Sequence, residues 1–150
     1  MTAQEQQRLA GRDILLYDGV CALCNGVVRF AARRDLTGRL LFLPLGSHLG
    51  AELLQRYGIT AETLNSVVVL EHTLTPQEQI SLRTRAVAQV MVHLTRPWRI
   101  LGRLLMAIPS WLGDPVYRLV ARIRYHLAGR YEICPLPEPG LRERFIGLDS

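Results

Sequence analysis

The sequence predicts an α/β fold with strands and helices in the order βαβαββα, followed by additional C-terminal helices. Residues 14–17 and 39–43 are short apolar runs, typical of buried parallel strands, and an amphipathic helical repeat joins them. A valine-rich run at 66–71 and the run at 79–83 are separated by a loop containing a proline, which favours a hairpin. We therefore expect a small mixed sheet covered by helices.

Capping and stop residues frame the predicted helices. Residues suited to the N-cap precede the second and third helices, and glycines follow the first and second. Prolines, which are favoured in the first helical turn, open the two C-terminal helices. In chain order these residues are Gly38, Ser47, Gly58, Thr84, Pro97 and the pair Asp114-Pro115.

The chain is expected to form a single domain. With 150 residues and 49% hydrophobic content, it can build one sizeable core but not two ordinary ones. Residues 1–12 are polar and are expected to be a flexible N-terminal segment. The domain would then comprise residues 13–150, including appended helices at about 97–128 and, from Tyr131 onward, a proline-rich extended tail.

The two appended helices repeat apolar residues at helical spacing. The repeats are Trp98, Leu101, Leu105 and Ile108 in one helix, and Val116, Val120, Ile123 and Leu127 in the other. The simplest interpretation is a helical layer that caps the small sheet. An alternative is that the arginines of these helices hold an amphipathic face against anionic lipid.

Composition restricts the possible functions. All 18 basic residues are arginine, which excludes chemistry that needs a lysine, such as Schiff-base formation. The net charge of +5 comes without the aromatic interleaving of a nucleic-acid groove, so a solvated basic surface is expected and no nucleic-acid partner. No apolar run has the length of a membrane span, and no secretory signal opens the chain. These features predict a cytoplasmic protein without an integral membrane segment.

Cys21 and Cys24 lie at the start of the first predicted helix, directly after the first predicted turn. Residues three apart lie on one helix face, so the two sulfurs can form a disulfide. The free N–H groups and dipole of the first turn favour a thiolate at Cys21, which makes it the expected nucleophile and Cys24 the resolving thiol. In a reducing compartment such a pair is typical of redox or metal sites, with two buried core thiols as the remaining alternative.

Two further residues have alternative interpretations. Asp18 can accept or relay the proton of a cysteine thiol, or it can cap the helix and its turn. Cys134 is either a third redox thiol or metal ligand, or an inert, partly buried thiol. None of the four histidines has ligand spacing to a cysteine, which disfavours a zinc site. Thiol–disulfide exchange by a cysteine pair requires no metal or organic cofactor, so we expect none.

Residues 18–24 match the pattern DGxCxLC and are followed by Asn25; this string resembles the motif of the DCC family of thiol-disulfide oxidoreductases, and the element order is similar to the thioredoxin fold. The resemblance continues through Arg33, Arg34 and Asp35 and covers nearly all of residues 13–146. It implies a thioredoxin-like core that uses a redox-active disulfide, with Asp18, Cys21 and Cys24 as site residues. The implied partners are a disulfide-containing protein or a low-molecular-weight thiol.

The sequence therefore predicts an enzyme, a cytoplasmic thiol-disulfide oxidoreductase with a CxxC dithiol. A competing prediction from another functional class is a non-catalytic binding module. In such a module the dithiol would hold zinc or be vestigial, and the arginine-rich helices would contact a partner.

Overall fold

The structure is a computed structural model in which residues 2–19, 22–35, 37–60, 67–128 and 144–146 are described. The strands are β1 (Asp13–Tyr17), β2 (Leu40–Pro44), β3 (Val68–Glu71) and β4 (Gln79–Leu82). The helices are α1 (Ala3–Leu9), α2 (Ala22–Arg34), α3 (His48–Gln55), α4 (Arg83–Met91), α5 (Trp98–Met106) and α6 (Ser110–Ala128). After α1, the elements follow the predicted order βαβαββα and then two helices.

The four strands form one mixed sheet in the order β2-β1-β3-β4. β1 is parallel to β2 and antiparallel to β3, and β4 is antiparallel to β3. Every residue of β1 and β2 is buried, as expected for short apolar strands with both faces covered. The predicted α/β, thioredoxin-like fold class is confirmed.

Helices cover both faces of the sheet. Successive side chains of each strand point in opposite directions, so each strand contributes residues to both faces. On one face, Leu16 packs in a cluster with Leu53 of α3. On the other face, Tyr17 packs with Val28 of α2 and Val90 of α4. Two hydrophobic cores therefore lie back to back across one sheet.

Helix α1 lies within the segment 1–12, for which the sequence predicted only a flexible extension. Thr2 and Glu5 form a capping box: the Thr2 N–H donates to Glu5 Oε2 at 2.7 Å, and the Glu5 N–H donates to Thr2 Oγ1 at 3.1 Å. Leu9 at the end of the helix is fully buried in the hydrophobic core on the sheet face that α3 covers. A single apolar anchor gives no periodic pattern, so sequence reasoning missed this helix.

The two appended helices form an outer layer on α4. At Gly102 of α5, a Cβ atom would lie only 2.8 Å from Met91 Cβ, so glycine permits the close approach of α5 to α4. Trp98 packs edge-on against Phe30 of α2, with ring centroids 5.0 Å apart. Helix α6 contacts both α4 and α2. The appended layer thus spans the two helices that cover this face of the sheet.

Helix α6 begins earlier than predicted. The sequence placed its start at Asp114-Pro115, but the helix starts at Ser110 and Pro115 lies inside it. The Pro109 carbonyl accepts the N–H groups of Leu112 and Gly113 at 3.0 and 3.2 Å, so a first turn forms before the proline. Pro115 then forfeits only one hydrogen bond, the donation to the carbonyl four residues before it.

The apolar repeats of α5 and α6 do not cap the sheet as the simplest interpretation expected. Leu101, Ile108, Val116 and Val120 are all exposed. Helix α6 instead approaches α4 through Gly113, whose Cβ would lie 2.7 Å from Thr84 Cγ2. Periodicity shows that a helix has an apolar face, but it does not show whether anything covers that face.

The end of α2 and the C-terminal residues are tied to β2. Asp35 accepts hydrogen bonds from the N–H and hydroxyl of Thr37 at 2.9 and 2.7 Å, and it pairs with Arg144. Phe145 stacks on Phe42 of β2 with centroids 5.1 Å apart. The predicted extended tail otherwise lies outside the described residues.

Candidate active site

The candidate site lies where β1 ends and α2 begins. β1 ends at the buried Tyr17, Asp18 and Gly19 form the turn, and α2 starts at Ala22. The buried Asn25 of α2 donates from Nδ2 to the Gly19 carbonyl at 2.7 Å. This hydrogen bond ties the turn to the first turn of the helix, which carries one of the two predicted site cysteines.

Asn25 directly follows the second cysteine of the motif, and no role is predicted for it from the sequence. The residue type could have indicated a contact with the backbone, because asparagine is a weak helix former whose side-chain amide readily forms hydrogen bonds with nearby backbone groups. Its position just inside a predicted helix, six residues after a glycine turn, was therefore unusual. Asn25 positions the site, although it is not among the predicted reactive groups.

Cys24 is the third residue of α2 and is half-buried. It packs against the apolar cluster that contains Tyr17 and Val28, and Val67 packs against the same cluster. Asp18 is likewise half-buried, between the end of β1 and the start of α2. The structure thus places Asp18 and Cys24 at the same end of β1, while Cys21 and Cys134 lie outside the described residues.

Several elements converge at this end of the sheet. Leu16 of β1 is paired with Val68 of β3, so Val67 lies beside the last residue of β1. The Val67 N–H donates to the Tyr117 hydroxyl of α6 at 2.8 Å. Val68 is also paired with Leu82, the residue before α4. Helix α6 is therefore anchored at the end of the sheet where α2 begins.

A buried ion pair lies at the opposite end of β1. Asp13 Oδ2 is 2.7 Å from His93 Nε2, and Asp13 Oδ1 accepts the His72 N–H at 3.0 Å. His93 Nδ1 lies 2.8 Å from the Gln89 carbonyl. Both ring nitrogens thus face acceptors, which favours the doubly protonated imidazolium.

Burial and hydrogen bonding act in opposite directions on this pair. Burial alone would raise the pKa of Asp13, but hydrogen bonds from His93 and His72 and nearby positive charge lower it below its usual value. Burial alone would lower the pKa of His93, yet the bonds to Asp13 and Gln89 raise it. Five residues of strand, roughly 13 Å from first to last Cα, separate this pair from the candidate site. We assign it a structural role.

Within the described ranges, no group of three or more histidine, cysteine and acidic side chains is arranged to hold a metal ion. Cys24 is the one cysteine inside those ranges. None of the helices in the described part of the chain combines the length and apolar character needed to cross a bilayer.

Sequence comparisons agree with the motif at this site. A profile of the DCC1-like thiol-disulfide oxidoreductase family matches residues 15–130. The uncharacterised protein YuxK of Bacillus subtilis is 37% identical over 133 residues, which cover 89% of this chain and 93% of YuxK. A chloroplastic DCC family protein of Arabidopsis thaliana is 34% identical over 125 residues, covering 83% of this chain and 70% of the relative. No solved structure gives a significant match. The chain belongs to the DCC1-like thiol-disulfide oxidoreductase family.

Proposed function

We propose that the protein catalyses thiol–disulfide exchange through Cys21 and Cys24. The observation that carries this proposal is the buried hydrogen bond from Asn25 Nδ2 to the Gly19 carbonyl, which ties α2 to the residues that follow β1. Cys21 directly precedes Ala22, the first residue of α2. A thiol at that point of the sequence is suited to stabilisation as a thiolate by the N-terminal amides and dipole of the helix.

The exchange proceeds in two steps. The Cys21 thiolate attacks one sulfur of a substrate disulfide, which forms a mixed disulfide and releases the other substrate sulfur as a thiolate. Cys24, deprotonated as it reacts, then attacks the Cys21 sulfur and releases the second substrate sulfur. The substrate gains two electrons, and protonation of its two thiolates completes its reduction to a dithiol. The enzyme ends with a Cys21–Cys24 disulfide.

Cys24 is suited to the second step. It is half-buried against the apolar cluster behind α2, which limits attack on it by a second substrate molecule. An external thiol or dithiol recycles the oxidised pair, and no metal or organic cofactor enters either step. The substrate we propose is a disulfide-containing protein or a low-molecular-weight disulfide.

Asp18 has one of two roles in this scheme. Its half-buried carboxyl group, three residues before Cys21, can take up the proton lost by a cysteine thiol during the second step. Alternatively it stabilises the turn. Asp18→Asn separates the two roles: loss of proton transfer changes the pH profile of the resolution rate, whereas loss of a turn contact lowers the free energy of unfolding.

The proposal is tested by single cysteine variants, incubated with a disulfide-containing protein such as insulin. Cys24→Ser is expected to accumulate a mixed disulfide, because attack by Cys21 survives and resolution does not. Cys21→Ser should form none, and Cys134→Ser is the matched control that should retain turnover. Equal reductase activity in the Cys21 and Cys24 variants contradicts the proposal, and zinc in the freshly purified protein would favour a binding module instead.

A further inference from the structure

Helix α6 presents a continuous apolar stripe to solvent. Its members recur at spacings of four, three, one and three residues, which places them on one helix face. They are Leu112, Val116, Leu119, Val120 and Ile123, and every one is exposed. Val116 is 64% exposed, and Trp111 at the start of the helix is 73% exposed. We call these six residues, with Trp111 included, the α6 stripe.

Helix α5 and the turn after it carry a second stripe of the same kind. Its members are Ile100, Leu101, Leu104 and Ile108, and Leu104 is 61% exposed. The opposite side of α5 is the one that packs inward, through Gly102 on α4 and Trp98 on Phe30. Two consecutive helices that both pack on α4 therefore bury small or aromatic residues and expose large aliphatic ones, the reverse of ordinary amphipathic packing.

The net charge of the protein is concentrated on the same elements. Residues 96–128 contain six of the 18 arginines and one of the 13 acidic residues, so this segment alone accounts for the formal charge of +5. The rest of the chain holds 12 of each and is neutral. Arg118 and Arg122, four residues apart, are exposed on the α6 face next to the stripe, together with His126.

We propose that the α6 stripe and the arginines beside it bind an anionic lipid bilayer peripherally. A long amphipathic helix with tryptophan and aliphatic residues on one face and arginines beside them is suited to lie in the plane of the headgroups. Helix α6 has 19 residues, a length of about 28 Å over which the stripe and the arginines run together. Anionic headgroups complement the arginines while acyl chains take up the stripe.

The positive charge of this surface also argues against a second copy of the chain as its binding partner. A symmetric dimer would place the same patch of both subunits face to face. The positively charged α5 and α6 segments would then oppose each other across the interface, which costs free energy. An anionic surface has the opposite effect, and its attraction weakens as salt is added.

Helix α6 also fixes how the bound protein would be oriented. The hydrogen bond between Tyr117 and Val67 anchors α6 at the end of the sheet where α2 begins. Lipid binding would therefore hold that end of the domain at a set distance from the bilayer. The lipid proposal does not depend on the redox chemistry, because it concerns a different surface and is tested without a thiol assay.

The test is co-sedimentation of the full chain with vesicles of phosphatidylcholine, with or without phosphatidylglycerol. We expect binding to the anionic vesicles, weaker binding to phosphatidylcholine alone, and a decline as salt is added. A blue shift of tryptophan emission on binding reports insertion of Trp111. Absence of binding to anionic vesicles at low salt overturns the proposal.

Two matched charge variants sharpen the test. Arg118→Gln with Arg122→Gln should weaken anionic vesicle binding about 30-fold, since each arginine near the surface contributes about one kcal/mol. Arg8→Gln with Arg85→Gln removes the same charge from exposed sites on α1 and α4 and should leave binding unchanged. Equal loss in both variants overturns the proposal, because it would show a response to net charge alone.

The apolar part is tested by Leu119→Ser with Ile123→Ser. Both side chains are exposed, so the variant should unfold at the same denaturant concentration as the parent but bind vesicles at least tenfold more weakly. Light scattering on the free protein examines self-association. A stable dimer that fails to bind vesicles, or binding of polyglutamate without binding of vesicles, would assign the surface to a protein partner and overturn the lipid proposal.

Discussion

The buried pair of Asp13 and His93 makes a quantitative prediction about stability. Their side chains are only 7% and 11% exposed, and the carboxylate oxygen is 2.7 Å from the ring nitrogen. His93→Leu leaves the Asp13 carboxylate with the His72 N–H, but removes its positive partner. Breaking a buried pair in this way costs about 3 kcal/mol or more, which should appear as a lower free energy of unfolding at pH 6.

Asp13→Asn is the conservative counterpart. Asparagine keeps an oxygen for the His72 N–H, and its amide can donate to Nε2 of a neutral His93 that still donates from Nδ1 to Gln89. No charge is then left buried. We expect a loss of only about 1 kcal/mol, the net contribution of a typical hydrogen bond.

The free energy of unfolding should also depend on pH differently in the parent protein and in Asp13→Asn. Because folding raises the pKa of His93, its contribution is fully present below its unfolded pKa of about 6.5 and is lost as pH rises through the folded pKa. One proton changes stability by at most about 1.4 kcal/mol per pH unit in that window. Negative charge from Asp13 and Asp35 supports the protonated ring, so Asp13→Asn should flatten the decline.

Urea denaturation followed by far-ultraviolet circular dichroism, at several pH values and with reductant present, measures these differences. The parent should lose stability above about pH 6.5 more steeply than Asp13→Asn does. The reasoning is refuted if both proteins show the same slope. It is also refuted if His93→Leu is no less stable at pH 6 than Asp13→Asn.

Three further substitutions test helix packing by the same denaturation method. Gly102→Ala places a Cβ 2.8 Å from Met91 Cβ and should cost about 1–3 kcal/mol, because α5 must move away from α4. Gly26→Ala meets nothing within 4 Å on an exposed position of α2 and should stabilise by about 0.5–1 kcal/mol. Tyr117→Phe removes the acceptor of the Val67 N–H and should cost about 1–3 kcal/mol, whereas an unchanged stability would show that water replaces the hydroxyl.

Local sequence patterns predicted the core of the fold well. β1 and β2 are short, apolar and buried on both faces, so their apolar composition was sufficient to predict them as strands. Ser47 caps α3 as predicted, with its hydroxyl accepting the Gly50 N–H at 3.0 Å. These features depend on residues close together in the chain, which is why sequence reasoning could reach them. The predicted cap at Thr84 was wrong, because α4 begins at Arg83 and Leu82 occupies its N-cap position.

Features that depend on distant residues could not be predicted. Asp13 and His93 are 80 residues apart, and no local sequence pattern around either residue predicts that they are in contact. The same holds for Val67 and Tyr117, which are 50 residues apart. Burial of the apolar repeats in the appended helices was expected from their spacing, but tertiary packing places small residues such as Gly102 inward.

The site itself was predicted from its chemistry rather than from its geometry. The motif predicted Cys21, Cys24 and Asp18 as site residues, and their roles stay predictions. The family assignment supports thiol–disulfide chemistry in general. The structure adds the hydrogen bond from Asn25 to the Gly19 carbonyl, which ties α2 to the residues after β1. That contact spans six residues, which is close enough in sequence for an asparagine at this position to indicate such a contact in similar motifs.

The most direct test of the central proposal is a redox titration in glutathione buffers, with alkylation and peptide mass mapping of the three cysteines. We predict a reversible disulfide between Cys21 and Cys24 that forms near the potential of the cytosolic glutathione pool and leaves Cys134 alkylated. If Cys21 and Cys24 never pair across the titration, the oxidoreductase account is contradicted.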